Sequence, residues 1–452
     1  MLFKGRTIAL NGFNRFALML VALGIANSLL PGPAAAKTLA AWVELIGFDM
    51  EASVRTIVTE ESACPQFRSG AETVQMQVRA EPGPSVLAEK QAEFPVRVCE
   101  AKVPSVWGKI TLEGVALPVP AAEFKRIVIL GDTGCRIKKK NTQDCNEPKY
   151  WPYPRLANQA ADARPDLVIH VGDYLYREKS CQGRADECPE SPVGYGWNVW
   201  ELDFFAPSSR LLAAAPWIMV RGNHETCKRA GEGWFRFLDH GPFPKKCPNA
   251  DIGVSFVTGS KRLRFAVMDS AAIAKDNDDL DEEDDASSGD VENPDALLQQ
   301  KFEQIAGKLD APTWLLSHAP FNAVRLNKDT DADEVDDTIQ QRALGSLLPA
   351  TVKLIVSGHV HAFEAISFNG ANSAHVPQLV VGDSGTKLAR EPHVPNNVSG
   401  AAVTSGVVLS HFGYMVWDRE GTNWDGQLFD ERGSPTVRCK LIERDLICKK
   451  ED

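Results

Sequence analysis

Five segments of this 452-residue chain end an apolar run on residues able to hold a metal. They are Asp132 in "LGDTG", Asp173 in "VGDYLY", Asn223 and His224 in "RGNHE", His318 in "LLSH", and His359 with His361 in "SGHVH". Carboxylate, amide oxygen and imidazole form a mixed oxygen and nitrogen set that suits iron, zinc or manganese and does not suit copper(I). Singly, each fragment is weak, because Gly-Asp is an ordinary turn and a strand-end histidine is ordinarily just hydrogen-bonded. Together and in this order they predict a metal site. Two cations about 3.5–4 Å apart need a bridging anion, and a central carboxylate supplies one.

The ordered set GD, GD, GNHE, H and GHxH, spanning roughly residues 127 to 363, resembles the calcineurin-like metallophosphoesterases. Many members open with D-x-H, whereas this chain reads Asp132-Thr133-Gly134. In that respect it is similar to the purple acid phosphatases, which carry D-x-G first and G-D-x-x-Y second, here Gly172-Asp173-Tyr174-Leu175-Tyr176. The resemblance implies Asp132, Tyr176 and His361 on a first metal, Asn223, His318 and His359 on a second, and Asp173 on both. Iron(III) is the expected first metal, because a phenol of pKa about 10 becomes a phenolate only beside a strong Lewis acid. Iron(II), zinc and manganese remain open for the second. Two departures stand out: a cysteine-bounded insert lengthens the gap from Asp132 to Asp173, and a histidine that some plant members carry has no counterpart near Lys328.

The implied activity is hydrolysis of a small-molecule phosphate monoester by metal-activated hydroxide. His224 is placed to donate a proton to the leaving group, or else to act as an outer hydrogen-bond partner of the site. A phosphodiesterase or nucleotide hydrolase of the same superfamily is the alternative, because shared metal ligands do not fix the substrate. An inactive secreted metal-binding protein is the reading outside enzymes. His170 and Tyr174 carry no motif role and are assigned to packing. The cations of "CRIKKKNTQDC" lie next to Asp132 and could attract polyphosphorylated substrates. Aromatics in "NEPKYWPYPR" and "GYGWNVWELDFF" are expected mostly in the core.

The elements that must position these residues follow from periodicity. From Phe124 onward, apolar runs such as "RIVILGD", "DLVIHVGD", "PWIMVRGNHE", "TWLLSHAP" and "VKLIVSGHVH" alternate with helical stretches such as "DALLQQKFEQIAGKL". That is an α/β layered architecture with its chemistry beyond the carboxyl ends of the strands. The resemblance sharpens it to two mixed β-sheets flanked by helices. Residues 37–122 read instead as short alternating strands, a small β-sandwich-like N-terminal domain ahead of a catalytic domain at 123–452. This first domain is expected to order the site without supplying ligands. An acidic insertion, Lys275 to Asn293, reads as a solvated surface loop and fails the glycine test of an EF-hand.

Composition bounds the rest: 44% hydrophobic and 24% charged residues allow a large core. Lys4, Arg6 and Arg15 precede an apolar run, Pro31 and a small-residue site at Ala34 to Ala36, the pattern of a secretory signal peptide over residues 1–36. Its removal moves the net charge from -11 to -14, which argues against a general nucleic-acid binder. No stable membrane insertion is expected afterwards. Ten cysteines in an exported chain read as disulfides, paired with sequence neighbours: Cys64 with Cys99, Cys135 with Cys145, Cys181 with Cys188, Cys227 with Cys247, and Cys439 with Cys448. A secreted or periplasmic location follows from the same features.

Overall fold

A computed structural model describes residues 37–451 apart from 88–90, 105–107, 140, 182–190, 275–290, 328–329, 337–338 and 369–374. Residues Ala36–Asp452 form one compact unit. The expected signal peptide, the Cys181–Cys188 pair and most of the acidic insertion lie outside the described residues.

In chain order, the strands that matter are β1 (Thr38–Gly47), β2 (Glu51–Thr59), β3 (Arg126–Leu130), β4 (Leu167–His170), β5 (Trp217–Met219), β6 (Leu263–Val267), β7 (Thr313–Leu316), β8 (Val352–Ser357) and β9 (Gln378–Val381). The helices that cover them are α1 (Tyr153–Asp162), α2 (Ala206–Leu212), α3 (Gly231–Phe237), α4 (Pro294–Ala306) and α5 (Ile339–Leu344). Strands β3, β4 and β5 are parallel neighbours, and Gly413–Glu420 joins the free side of β3 antiparallel. In the second sheet β6, β7, β8 and β9 are parallel neighbours. Both sheets are mixed, as expected.

Being covered on both faces, the central strands have no polar side to show and read as continuous apolar runs. Ile127, Ile129 and Ile169 of the first sheet share one buried cluster with Phe265, Trp314, Leu316 and Val356 of the second, so the sheets pack face to face. On the outer face of the first sheet, Val128 and Val168 meet Leu156, Ala157 and Ala160 of α1. Behind the second sheet, Leu315 and Ile355 meet Leu298, Phe302 and Ile305 of α4. Asn293, the end of the acidic insertion, caps α4 by accepting the Ala296 N–H at 3.2 Å.

The N-terminal region is β-rich, and it is continuous with the first sheet. Strand β1 pairs parallel with β5 at Glu44 and Trp217, and β2 pairs antiparallel with β1. The edge of β5 is thereby covered, which removes an open row of backbone donors and acceptors. Four disulfides, Cys64–Cys99, Cys135–Cys145, Cys227–Cys247 and Cys439–Cys448, join the expected neighbours.

Candidate metal centre

Register brings the loops together. Leu130 pairs with His170 and His170 with Met219, so the segments carrying Asp132, Asp173 and Asn223 leave the first sheet level with one another. Leu316 pairs with Val356 in the second sheet, which sends out His318 and His359 side by side. Asp132, Asp173 and His359 all have left-handed backbone, with φ of 54°, 57° and 72°. Strain of this kind, in three separate loops, persists only where surrounding structure imposes it, and it gathers at functional sites. Two glycines admit the carboxylates: a Cβ at Gly222 would lie 2.0 Å from Asp173 Oδ1, and one at Gly358 would lie 2.4 Å from Asp132 Oδ2.

All seven residues expected to bind metal converge. Donor atoms of Asp132, Asp173 and His361 lie within 4.8 Å of one another. The Tyr176 hydroxyl stands among them, 3.0 Å from Asp132 Oδ1, 2.7 Å from Asp173 Oδ2 and 3.0 Å from His361 Nε2. A second group forms around Asn223, whose Oδ1 is 2.9 Å from His318 Nε2 and 3.1 Å from His359 Nδ1. Asp173 joins the two groups, with Oδ2 3.2 Å from His318 Nε2.

Electrostatics in this buried cluster are in conflict. Burial, then the Asp173 charge, pushes Asp132 up to about 7. Burial also works against the Asp173 carboxylate, yet the cationic charges of His318 and His224 hold it well below the usual range. Burial disfavours the His318 cation, but Asp173 wins and raises it to about 10. Burial and both carboxylates push the Tyr176 phenol well above its ordinary value. A cation among these oxygens and nitrogens would relieve each of those penalties. The donors therefore fit a hard or borderline metal ion.

His224 lies over the same cluster. Its backbone N–H donates to Asp173 Oδ1 at 2.9 Å, its Nε2 is 3.9 Å from Asp173 Oδ2, and its ring packs tilted by 39° against Tyr176 at 3.8 Å between centroids. Three residues that sequence reasoning missed hold this arrangement. Glu225 accepts N–H bonds from Asp173, Tyr174, Leu175 and Gly222, which ties the second motif to the third. Its place beside His224 in "GNHE" was the available signal. Arg229 and Glu178 form a forked ion pair against His224, and nothing in their local sequence marks them.

His170 does more than fill space. Its Nδ1 accepts the Gly172 N–H at 3.2 Å and its Nε2 meets Thr133 Oγ1 at 2.9 Å, so it fixes the turns before Asp173 and after Asp132. Burial holds its pKa well below the ordinary value, so it stays neutral. Tyr174 packs as expected, and its hydroxyl donates to the Val220 carbonyl at 3.0 Å. Trp197, Trp200, Phe204 and Phe205 are core residues. Trp151 donates to the Thr133 carbonyl at 2.9 Å and so props the first motif from behind.

Fold and site together define a phosphoesterase of the metal-dependent class. Residues 125–363 match the calcineurin-like phosphoesterases, and the chain belongs to that family. It is a metal-dependent phosphoric ester hydrolase. Its fold is similar to that of purple acid phosphatase PPD1 from yellow lupin (Lupinus luteus) seeds, with a TM-score of 0.57 and 13% identity over 92% of this chain and 75% of that one. Also similar are the phosphoesterase Yfce of E. coli (TM-score 0.27, 10% identity, 71% and 100% covered) and zinc-complexed Vps29 of Entamoeba histolytica (0.25, 9%, 72% and 98%). A search of curated protein sequences gives no match. Among the described residues, no helix is long and apolar enough to cross a membrane.

Proposed function

We propose that the protein is an exported phosphomonoesterase of purple acid phosphatase type with a two-metal centre. The observation that carries this reading is the Tyr176 hydroxyl among Asp132, Asp173 and His361, with the Asn223, His318 and His359 group joined through Asp173. Asp132, Tyr176 and His361 would hold the first metal, iron(III). Asn223, His318 and His359 would hold the second, iron(II), zinc or manganese, with Asp173 shared. When bound, the two cations supply Lewis acidity to the phosphate ester and to the attacking water. The chain's own part is to orient and to move a proton: His224 faces the cluster and donates to the departing oxygen of a small-molecule ester.

The four disulfides support an oxidising, secreted or periplasmic location, with residues 1–36 removed on export, 37–122 as the N-terminal region and 123–452 as the catalytic one. Elemental analysis and a visible spectrum of the purified protein test the metals. Release of p-nitrophenol from the mono- and bis-ester, at acidic and neutral pH and again after chelation, tests the reaction. Iron with a phenolate band and a preference for the monoester are expected; a metal-loaded protein that hydrolyses neither ester would refute the reading.

A further inference from the structure

A cavity of about 570 Å³ is lined in part by Asp144, Lys149, Tyr150, Lys387 and Phe412, none of which belongs to the metal centre. That volume is in the range of small-molecule sites. Backbone bonds tie its walls to the residues proposed for the first metal. Lys387 and Leu388 stand between Thr386, whose N–H donates to the Asp132 carbonyl at 2.8 Å, and Ala389, whose N–H donates to the His361 carbonyl at 2.8 Å. A second wall comes from the cysteine-bounded insert. There Ile137–Lys139 pairs antiparallel with Asn141–Thr142, and the Ile137 N–H donates to the Tyr176 carbonyl at 3.1 Å. Gln143 joins the walls, its Nε2 donating to the Tyr150 carbonyl at 2.7 Å and to the Gly385 carbonyl at 3.1 Å. The cavity thus shares its loops with Asp132, Tyr176 and His361.

Its lining is chemically mixed. Lys149 and Lys387 are exposed ammonium groups, which suit an anion. Tyr150 is 52% exposed, with Lys149 Nζ 5.3 Å from its ring centroid, and the half-buried Phe412 adds a second ring. Rings set beside cations take a planar group by stacking and an anion by charge. Asp144 works against a bare polyanion, because a carboxylate repels phosphate and accepts only from a hydroxyl or an amine. A ligand that satisfies all of these carries a planar ring, a hydroxyl or amino donor and a negative charge.

We propose that this cavity is the subsite for the alcohol part of the phosphate ester and that it selects a nucleoside carrying a second phosphate. The base lies on Tyr150 and Phe412, a sugar hydroxyl or base amine donates to Asp144, and the phosphate that is not cleaved meets Lys149 and Lys387. What is cleaved at the metals rests on the phosphatase reading; what is bound in the cavity does not.

Selectivity of the metal-loaded enzyme tests this. Adenosine 3′,5′-bisphosphate carries both the ring and a second phosphate, adenosine monophosphate only the ring, and fructose 1,6-bisphosphate only the second phosphate. The first is expected to exceed each of the others in kcat/KM by roughly tenfold or more. Lys149→Gln together with Lys387→Gln should cut its preference over adenosine monophosphate about tenfold, through KM, because this charge is bound alike in ground and transition states. Tyr150→Ala should cut its preference over fructose 1,6-bisphosphate about tenfold, the worth of one stacked base. All three side chains are exposed, so their replacement costs the fold little. A preference that is absent, or that survives either variant, overturns the subsite, while turnover of any of these esters keeps the phosphatase reading. If none is hydrolysed that reading fails, and titration calorimetry of the metal-free protein with adenosine 3′,5′-bisphosphate decides the binding. Heat that is lost in the double lysine variant upholds the subsite; no binding to the wild type, or binding that the variant leaves unchanged, overturns it.

Discussion

Asp173 is the residue on which both halves of the site depend. Its two oxygens serve Tyr176, His318 and the backbone of His224, and its own backbone N–H is tied to Glu225. Asp173→Asn removes the charge that balances His318, and turnover is expected to fall more than about a hundredfold, the upper range for residues that only support a ligand. Metal content measured on the same sample should fall with it. Tyr176→Phe keeps the packing on His224 and removes only the hydroxyl. The expected result is a folded, metal-binding protein that has lost its visible band; a band that survives would make Tyr176 a bystander. The histidine missing two residues after Asp132 is what gives this phenol its interest: Gly134 stands in its place, and a Cβ there would lie 2.9 Å from Cδ2 of the Tyr176 ring.

At the scale of elements, the loop after β9 bears on the site without touching the reaction. Ser384 N–H donates to the Gly131 carbonyl and Thr386 N–H to that of Asp132, so this loop braces the first motif. Asp383 in it is fully buried, and neither carboxylate oxygen finds a hydrogen-bond partner from another residue among the described residues. Burial pushes its pKa up from the ordinary carboxylate value to about 8. A raised acid binds its proton more tightly folded than unfolded. Stability should therefore be fullest below about pH 4 with respect to this group, and fall as the pH rises toward 8, by an amount on the order of 5 kcal/mol at most. Denaturant melts at several pH values check this: Asp383→Asn should flatten the slope across that window, and an unchanged slope would assign it to other groups.

At the scale of the whole molecule, the N-terminal region is bound into the catalytic unit by charge as well as by sheet pairing. Arg55 pairs with Glu44 at 2.9 Å and donates to the carbonyls of Phe237 and Asp239. Arg79 pairs with Glu100 and donates to the carbonyls of Phe235, Arg236 and Gly241. These carbonyls sit at the end of α3, the helix that follows the Asn223 and His224 motif, so N-terminal arginines satisfy groups the helix leaves open. Arg79→Ala removes the donor to the Phe235, Arg236 and Gly241 carbonyls, while Glu100 keeps Arg55 at 3.4 Å, and thermal melts are expected to show a loss of about 3 kcal/mol. Deleting residues 37–122 exposes β5 and should give an aggregating or unfolded chain; a folded enzyme with unchanged kinetics would refute the bracing role.

Much of the site was legible before any coordinates, because metal binding restricts residue type sharply and strand ends announce themselves through apolar runs. Asp132, Asp173, Asn223, His318, His359 and His361 each follow such a run, and the four disulfides among the described residues join the partners expected from closeness along the chain. The continuity of β1 with β5 was not legible, since alternating strands look the same whether they close a separate sandwich or extend a neighbour's sheet. Nor were Arg229 and Glu178, which lie 51 residues apart and have no motif around them. The sequence by itself determined which atoms could bind a metal and in which strand-end loops they lie, because both are local properties of side-chain chemistry and periodicity. Only the tertiary structure decided that Tyr176 stands within 3.0 Å of three partners and that His224 meets both a phenol ring and a buried ion pair. Those contacts depend on the register of two packed sheets, which no single segment encodes.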